Sequence, residues 1–167
     1  RMAALSLTLE SCVRTARFAT VDDLLDEFNK AAAVASLKRY FGCFASKTSR
    51  FLGTDKHENW TLEEFWDYTT TRFLRGDGWT YVPKGLRKID IYPTFAVFDE
   101  TVASNSFKAT GRGTGCCEYD SQFNCWFLVT YHLSFPIPNP LANTICSIIA
   151  DFETRENDAD ILLLKEK

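Results

Sequence analysis

The chain has 167 residues, a formal net charge of −3 and a pI near 5.4, and 25% of its residues are charged. This composition fits one globular domain and excludes a disordered or fibrous protein. No run of like charges marks a nucleic-acid surface, and no apolar stretch approaches the roughly eighteen residues that cross a bilayer. We therefore expect no nucleic acid and no membrane among the partners. The six cysteines form no Cys-x-x-Cys pair, so we also expect no metal site.

The N-terminal residues carry weak targeting features. Arg1 precedes Met2 and is expected to be a remnant of expression. Residues 2–17 contain Arg14, Arg17 and a single acid, as organelle transit peptides often do, and a flexible or packed arm is the alternative. Because a secretory signal is missing, we expect a cytoplasmic protein, with organelle targeting by residues 2–17 as the second possibility.

The apolar positions that follow repeat at helical spacing. The spacing predicts a first helix that begins after Thr20 and a second that begins after Ser36, with each of these residues as N-cap. We divide the chain into an arm at residues 1–17, one domain at residues 18–153 and a tail at residues 154–167.

The third predicted helix has the clearest start signal in the chain. Thr61 and Glu64 form a capping box, and Trp60 and Phe65 occupy the two positions of a hydrophobic staple. Gly76 is expected to end this helix.

Beyond Gly78 apolar residues recur at every second position instead of at helical spacing, which predicts strands. These strands are expected at residues 79–82, 88–92, 94–102, 106–118 and 124–135, after one short strand at 51–52. We expect the five late strands to be antiparallel neighbours. Pro136 and Pro138 end the last strand, and Asn139 and Pro140 are predicted as N-cap and first residue of a final helix. Helices followed by a sheet indicate an α+β domain.

The last predicted strand alternates between an apolar and a polar face. The apolar set, which we expect to meet the helices, is Phe127, Val129, Tyr131, Leu133 and Phe135. The polar set, with His132 at its centre, is then expected on the outer face of the sheet. The preceding strand contains Gly111, Gly113 and Gly115, and another strand follows it in place of a helix. The three glycines therefore predict a bend in the strand and the close approach of a helix or a ligand, and they do not form a phosphate loop.

Several segments resemble one known family. They are 39–41, 51–55, 60–65, 78–81, 98–100, 112–115 and the run Tyr-His-Leu-Ser-Phe-Pro-Ile-Pro-Asn at 131–139. Together they resemble the SnoaL-like branch of the nuclear transport factor 2-like superfamily, whose members are also called ketosteroid isomerase-like or cystatin-like. The resemblance covers roughly residues 23–152. It implies a cone-shaped α+β fold in which N-terminal helices pack on a strongly bent, mostly antiparallel sheet with a C-terminal helix, commonly as a homodimer through the sheet.

The resemblance also implies candidate catalytic residues. Ketosteroid isomerases use a carboxylate base and neutral donors in an apolar pocket. Here Asp99 or Glu100 is the candidate base, and a one-residue change of register decides which of the two faces inward. His132 is a candidate base or donor if it faces the pocket, and an interface residue if it faces outward.

Aromatic residues are the candidates for the walls of a pocket. The predicted lining is Tyr40, Phe51, Trp60, Trp79, Tyr81 and Tyr131, of which the tyrosines are also candidate hydrogen-bond donors. We expect this pocket to bind a small hydrophobic or carbonyl-containing molecule without a cofactor. The alternatives are a cofactor-independent isomerase, cyclase or dehydratase, and a non-catalytic dimerisation or adaptor domain.

Overall fold

The computed structural model describes residues 7–165, with the side chains of residues 7–155. Arg1 and the first part of the predicted targeting segment, residues 2–6, lie outside this range, as do residues 166–167 of the predicted tail. The chain divides into two compact units at the boundary between Phe135 and Pro136.

The first unit contains four helices and seven strands within the described residues. The helices are α1 (Leu9–Cys12), α2 (Val21–Ala33), α3 (Leu37–Gly42) and α4 (Leu62–Phe73). The strands are β1 (Arg50–Leu52), β2 (Asn59–Thr61), β3 (Tyr81–Pro83), β4 (Lys88–Ile91), β5 (Phe95–Ser104), β6 (Gly111–Asp120) and β7 (Cys125–Ser134). This is the predicted α+β class.

The predicted helix starts are found at the expected residues. Thr20 caps α2 by accepting a hydrogen bond from the backbone N–H of Asp23 (3.1 Å). Helix α3 begins after Ser36, but within the described structure the Ser36 side chain makes no capping bond, so its predicted role as a side-chain cap is wrong. Packing of the apolar face of α3 into the core therefore stabilises this short helix more than its cap does.

The capping box and staple of α4 are both confirmed. Glu64 accepts a hydrogen bond from the backbone N–H of Thr61 (2.8 Å), and Thr61 accepts one from the N–H of Glu64 (3.3 Å). The rings of Trp60 and Phe65 stack with centroids 5.4 Å apart. Gly76 follows the helix with a φ of 73°, which suits glycine at the end of a helix.

The seven strands form one mixed, curved and unclosed sheet in the order β2-β1-β7-β6-β5-β3, with β4 also paired to β5. Strands β4, β5, β6 and β7 pair antiparallel in succession as predicted, but β3 pairs with β5 and not with β4, its neighbour in the chain. Other features also differ from the prediction. Residues 59–61 form the short strand β2, which was not predicted, and β1 pairs parallel to β7. Strand β6 begins at Gly111 and not at residue 106, since Ser106 donates its N–H to the Ser104 side chain in a turn (3.1 Å).

A bulge in β7 changes which residues face the helices. Between Cys116 and Cys117 of β6 the register shifts, and one extra residue, Val129, stands in β7. Tyr131 is fully buried in the main core as predicted, but Phe127 belongs to a separate small cluster. The expectation of one uniform apolar face was therefore wrong for Phe127 and Val129, because a bulge reverses the alternation of side chains.

Aromatic rings dominate the main core between the helices and the sheet. The largest fully buried rings there are Tyr40, Tyr131, Phe28, Phe41, Phe44 and Phe65. Many of them contact one another, and Tyr40 alone contacts six other rings. The abundance of phenylalanine in the sequence therefore serves mainly to fill this core.

The described part of the predicted N-terminal arm packs against the domain. Leu9 and Cys12 of α1 are buried in the main core. Arg14 forms ion pairs with Glu118 and with Asp120 (2.6 Å to Asp120), and its guanidinium lies 4.5 Å from the centroid of the Phe127 ring. These contacts cover the small cluster around Phe127. Residues 7–17 thus have the arrangement expected of a packed arm, which was one of the alternatives to a targeting segment.

The second unit is a helical segment. A short 3-10 helix, Asn139–Leu141, precedes α5 (Ala142–Lys165). Asn139 was expected to be an N-cap, but Pro138 occupies that position and Asn139 is the first residue of the 3-10 turn. Among the described helices, none combines the length and apolarity that a membrane crossing requires.

Candidate functional site

An open pocket of about 110 Å³ lies in the first unit, between α4, the β1–β2 turn and the β5–β6 connection. Most of its wall is aromatic. The lining residues are Phe51, Gly53, Thr54, Glu58, Trp60, Phe65, Tyr68, Arg72, Trp79, Tyr81, Ser106, Phe107 and Leu133.

Four of the six residues predicted to form a pocket line this one. They are Phe51, Trp60, Trp79 and Tyr81. The other two, Tyr40 and Tyr131, are fully buried in the core and do not line the pocket. Tyr131 nevertheless supports the wall, because its ring stacks on Phe51 with centroids 5.7 Å apart.

The aromatic wall is a continuous stack of rings. Phe65 lies 4.0 Å from Phe51, with the planes only 6° apart, and 5.4 Å from Trp60. Trp60 in turn stacks on Tyr68 at 4.8 Å. The antiparallel pairing of β1 with β2 sets Phe51 opposite Trp60, and the staple holds Phe65 against both. Strand pairing and a helix start therefore fix the shape of this wall before any ligand binds.

Arg72 brings a positive charge to the pocket, and other side chains hold it in place. Its Nη1 donates a hydrogen bond to the Tyr68 hydroxyl (3.1 Å), and its Nε donates one to Asp77 (3.2 Å). The guanidinium also lies 5.4 Å from the centroid of Trp79. The sequence prediction missed Arg72 and Tyr68, although both share the face of α4 that carries Phe65, at the helical spacing i, i+3 and i+7.

Glu58 brings a negative charge to the same pocket. Its Oε2 accepts a hydrogen bond from the backbone N–H of Asp55 (3.2 Å) in the turn between β1 and β2. Gly53 allows this arrangement, because a Cβ at Gly53 would lie 2.0 Å from the same oxygen. Burial, with Glu58 as the next cause, raises the pKa of Tyr81 to about 12, so the Tyr81 phenol is neutral at physiological pH. The sequence analysis gave Glu58 no role.

Of the two candidate carboxylates, Glu100 is the one that faces inward. It is buried, whereas Asp99 is half-buried on the outer face of β5. Glu100 accepts a hydrogen bond from the Tyr131 hydroxyl (3.0 Å) and another from Nε of Arg87 (2.8 Å). Arg87 also pairs with Asp22 and with Asp26 (3.2 and 2.8 Å). Glu100 is thus enclosed in an ion-pair network and does not line the pocket.

His132 is exposed on the outer face of the sheet. Thr114 of β6 pairs with Asp99 of β5 on one side and with His132 of β7 on the other. Asp99 and His132 therefore lie on the same face of the sheet, two strands and about 10 Å apart. Glu100 faces the opposite side. The structure therefore brings no pair of the three catalytic candidates together in a cavity, and their catalytic roles stay predictions.

Two buried polar groups next to the pocket lack hydrogen-bond partners. Within the part of the chain that the structure describes, neither the Tyr40 hydroxyl nor Nε1 of Trp79 has one, although their rings meet edge to face at 5.5 Å. Burial, followed by the neighbouring Tyr81 and Tyr131, raises the pKa of Tyr40 well above its ordinary value. Tyr40 is therefore neutral, but it lies in the core and not on the pocket surface.

The curved sheet with helices on one face defines a nuclear transport factor 2-like α+β domain. The sequence profile of the SnoaL-like domain matches residues 21–138, more than half of the chain. The chain therefore belongs to the SnoaL-like domain family. No curated protein matches the sequence.

Solved structures similar to this chain share its fold. A protein of unknown function from Pectobacterium atrosepticum is 18% identical, with a TM-score of 0.56 over 71% of this chain and 90% of that one. A candidate ketosteroid isomerase from Shewanella frigidimarina is 14% identical, with a TM-score of 0.54 over 67% and 92%. A candidate calcium/calmodulin-dependent protein kinase type II association domain from Thiobacillus denitrificans is 13% identical, with a TM-score of 0.58 over 73% and 99%. At these identities the likeness extends to the fold alone.

Proposed function

We propose that this protein binds a small hydrophobic or carbonyl-containing molecule in the aromatic pocket. The observation that carries the proposal is a preformed stack of rings at an open pocket, in which the buried Phe51 and Phe65 support the accessible rings of Trp60 and Tyr68. Apolar pockets with a few fixed polar groups are the usual form of small-molecule sites. The neutral phenol of Tyr81 can donate a hydrogen bond to a carbonyl oxygen of such a ligand.

The size of the pocket restricts the ligand. An apolar cavity of about 150 Å³ holds a benzene molecule. This pocket, at about 110 Å³, has room for most of one ring, and its opening lets the remainder extend into solvent. A fused four-ring molecule such as a steroid would require rearrangement of the wall.

Binding, and not catalysis, is the function that the geometry supports. Catalysis by the predicted residues would need Glu100 and His132 at one substrate, and they face opposite sides of the sheet. Glu100 already has two partners, Arg87 and Tyr131.

Thermal unfolding in the presence of single-ring and multi-ring compounds tests the proposal. A compound that binds only the folded state raises the melting temperature in a saturable way. Thr54→Trp should abolish this rise by filling the mouth of the pocket, because Thr54 is an exposed lining residue. Thr71→Trp, at an exposed threonine outside the pocket, is the matched control. The proposal would be contradicted if the melting temperature still rose in Thr54→Trp, or if no compound raised it in the wild-type protein.

We also propose that a second copy of the chain covers the outer face of the sheet. Phe95 and Val97 expose apolar side chains on this face of β5, at 41% and 37% of their full area. The solved Thiobacillus denitrificans structure is described as an association domain, which supports assembly through this fold. In such a dimer His132 would be an interface residue.

Sedimentation equilibrium tests this dimer. The wild-type protein should be dimeric, and Val97→Lys should be monomeric because it places a charge within an apolar interface. Val34→Lys changes a more exposed valine (62%), the residue that follows α2, and should leave the dimer intact. A monomeric wild-type protein, or a dimeric Val97→Lys variant, would overturn the proposal.

A further inference from the structure

We infer that an inner polar site, formed by Tyr40, Thr69 and Trp79 behind the aromatic wall, binds a neutral carbonyl oxygen of the ligand. This inference rests on the proposed function, since the ligand reaches the inner site through the aromatic pocket. It narrows the ligand to a single-ring compound with a carbonyl group. Three buried hydroxyl or N–H groups carry it, and none of them has a hydrogen-bond partner in the described part of the chain.

The Tyr40 hydroxyl and Nε1 of Trp79 lie close together. Both atoms are buried, and the two rings meet edge to face with centroids 5.5 Å apart. Burial raises the pKa of the Tyr40 phenol most strongly, whereas the Trp79 N–H lowers it to a smaller extent, so this N–H is near the phenol oxygen. Two polar groups therefore come together at one place in the core.

Thr69 adds a third polar group from α4. Its side chain is fully buried, and its hydroxyl also lacks a partner among the described residues. Phe65 and Phe73, four residues to either side, both contact the Tyr40 ring, with centroids 6.0 and 5.6 Å apart. They also contact the ring of Trp79, at 6.1 and 4.9 Å. Because residues four apart share one face of a helix, Thr69 faces the same two rings.

Trp79 and Tyr81 connect the inner site to the pocket. Both line the pocket, and Trp79 also carries one of the three polar groups. The Tyr81 phenol is close enough to Tyr40 to be the second cause, after burial, that raises the pKa of Tyr40. Trp79 lies in the connection between α4 and β3, which is neither helix nor strand, so its ring can turn without breaking a strand pair. A ligand that moves this ring aside joins the pocket to the inner site.

The groups of the inner site select a neutral hydrogen-bond acceptor. The indole N–H of Trp79 only donates, and the hydroxyls of Tyr40 and Thr69 can donate as well. A carbonyl oxygen has two lone pairs and can accept hydrogen bonds from two of these groups. A carboxylate is also an acceptor, but it would leave water for a site whose three groups are all neutral, which is costly. Because an unpaired buried polar group destabilises the free protein, a ligand that pairs it gains affinity.

Three compounds with the same ring and different polar groups test the inference. They are acetophenone, ethylbenzene and benzoate, titrated calorimetrically into the full chain at neutral pH. We expect acetophenone to bind about tenfold more tightly than ethylbenzene, as one hydrogen bond in a buried site would give, and benzoate to bind most weakly.

Tyr40→Phe removes the hydroxyl and keeps the ring. It should bring the affinity for acetophenone close to that for ethylbenzene. It should also leave the melting temperature of the free protein unchanged or raise it, because the hydroxyl that it removes has no partner in the described structure. Thr69→Val should act in the same two directions. Tyr131→Phe is the matched control, because it removes an equally buried hydroxyl that is bonded to Glu100 (3.0 Å). It should lower the melting temperature and keep the preference for acetophenone.

Each outcome has one meaning. A preference for acetophenone that is lost in Tyr40→Phe and kept in Tyr131→Phe supports the inference. Equal affinities for acetophenone and ethylbenzene, tighter binding of benzoate, or a preference that survives Tyr40→Phe would overturn it, while the pocket would remain a binding site. A melting temperature that falls as far in Tyr40→Phe as in Tyr131→Phe would also overturn it, because the Tyr40 hydroxyl would then already be paired in the free protein. If none of the three compounds binds, the inference fails, and the thermal screen with Thr54→Trp shows whether the proposed function fails with it.

Discussion

Tyr131 donates a hydrogen bond to Glu100 over 3.0 Å, from β7 to β5, across the intervening strand β6. The bond passes over Gly113, which pairs with Glu100 on one side and with Leu133 on the other. A Cβ at Gly113 would lie 2.2 Å from the Tyr131 oxygen and 3.1 Å from Cγ of Glu100. The glycine therefore makes this buried contact possible.

Gly113→Ala should destabilise the domain. The added methyl group must push the Tyr131 ring or the Glu100 side chain away in a filled core, which costs about 1–3 kcal/mol. The free energy of unfolding, measured by urea denaturation, should fall by this amount.

Gly111→Ala is the matched control on the same strand. Its Cβ would meet only side-chain methyl groups, of Leu133 and Val102, at 3.3 Å and no atom closer, so the loss should be well below that of Gly113→Ala. Equal stabilities for the two variants would show that the space above Gly113 is unimportant.

The ion pair between Arg87 and Glu100 should have a large effect when only one partner is removed. Both side chains are buried, at 7% and 1% exposure. Arg87→Met leaves Glu100 without its cation and should cost about 3–5 kcal/mol of unfolding free energy. The double variant Arg87→Met with Glu100→Gln should lose about 0.5–3 kcal/mol less than the sum of the single losses.

An exposed ion pair provides the comparison for this double-mutant cycle. Arg39 pairs with Glu27 on the surface, and its side chain is 47% exposed. Arg39→Met should therefore cost about 1 kcal/mol or less. Strict additivity in the Arg87 and Glu100 cycle would mean that the two side chains do not stabilise each other.

Much of the fold could be predicted because its signals are local. The capping box of Thr61 and Glu64 involves residues three apart, and the change of period beyond Gly78 needs only a short window. The parallel pairing of β1 with β7 could not be predicted in this way. It joins Phe51 to Tyr131 across eighty positions, and no local pattern specifies such a partner.

The site was predictable only in part, for the same reason. Phe51 and Trp60 were identified because aromatic residues stand out in a short strand and at a staple. Register decides whether Asp99 or Glu100 faces the core, and pairing with β6 sets that register. Glu58 was missed because a charged residue in a turn usually faces solvent, whereas here the close approach to Gly53 and the hydrogen bond from the Asp55 N–H hold it at the pocket.

The N-terminal segment should be part of the folded domain. Leu9 is buried in the main core, so Leu9→Ala should lower the free energy of unfolding by about 2–5 kcal/mol. Leu7, two positions earlier, is 45% exposed, and Leu7→Ala should have little effect. Urea denaturation of both variants measures the difference. Equal stability of the two variants would agree better with a removable targeting segment.

The Tyr81 phenol should remain protonated well above the ordinary tyrosine range. Burial, and then the charge of Glu58, raises its pKa to about 12, against about 10 in an unfolded chain. Because the unfolded state releases this proton first, the stability that Tyr81 contributes is complete below about pH 10 and is lost as the pH rises toward 12. The difference in tyrosinate absorbance between wild type and Tyr81→Phe, followed against pH, gives the titration of this one side chain. Glu58→Gln should move it to lower pH. A Tyr81 titration near pH 10 in protein whose circular dichroism is still native would contradict both the burial of the phenol and its proximity to Glu58.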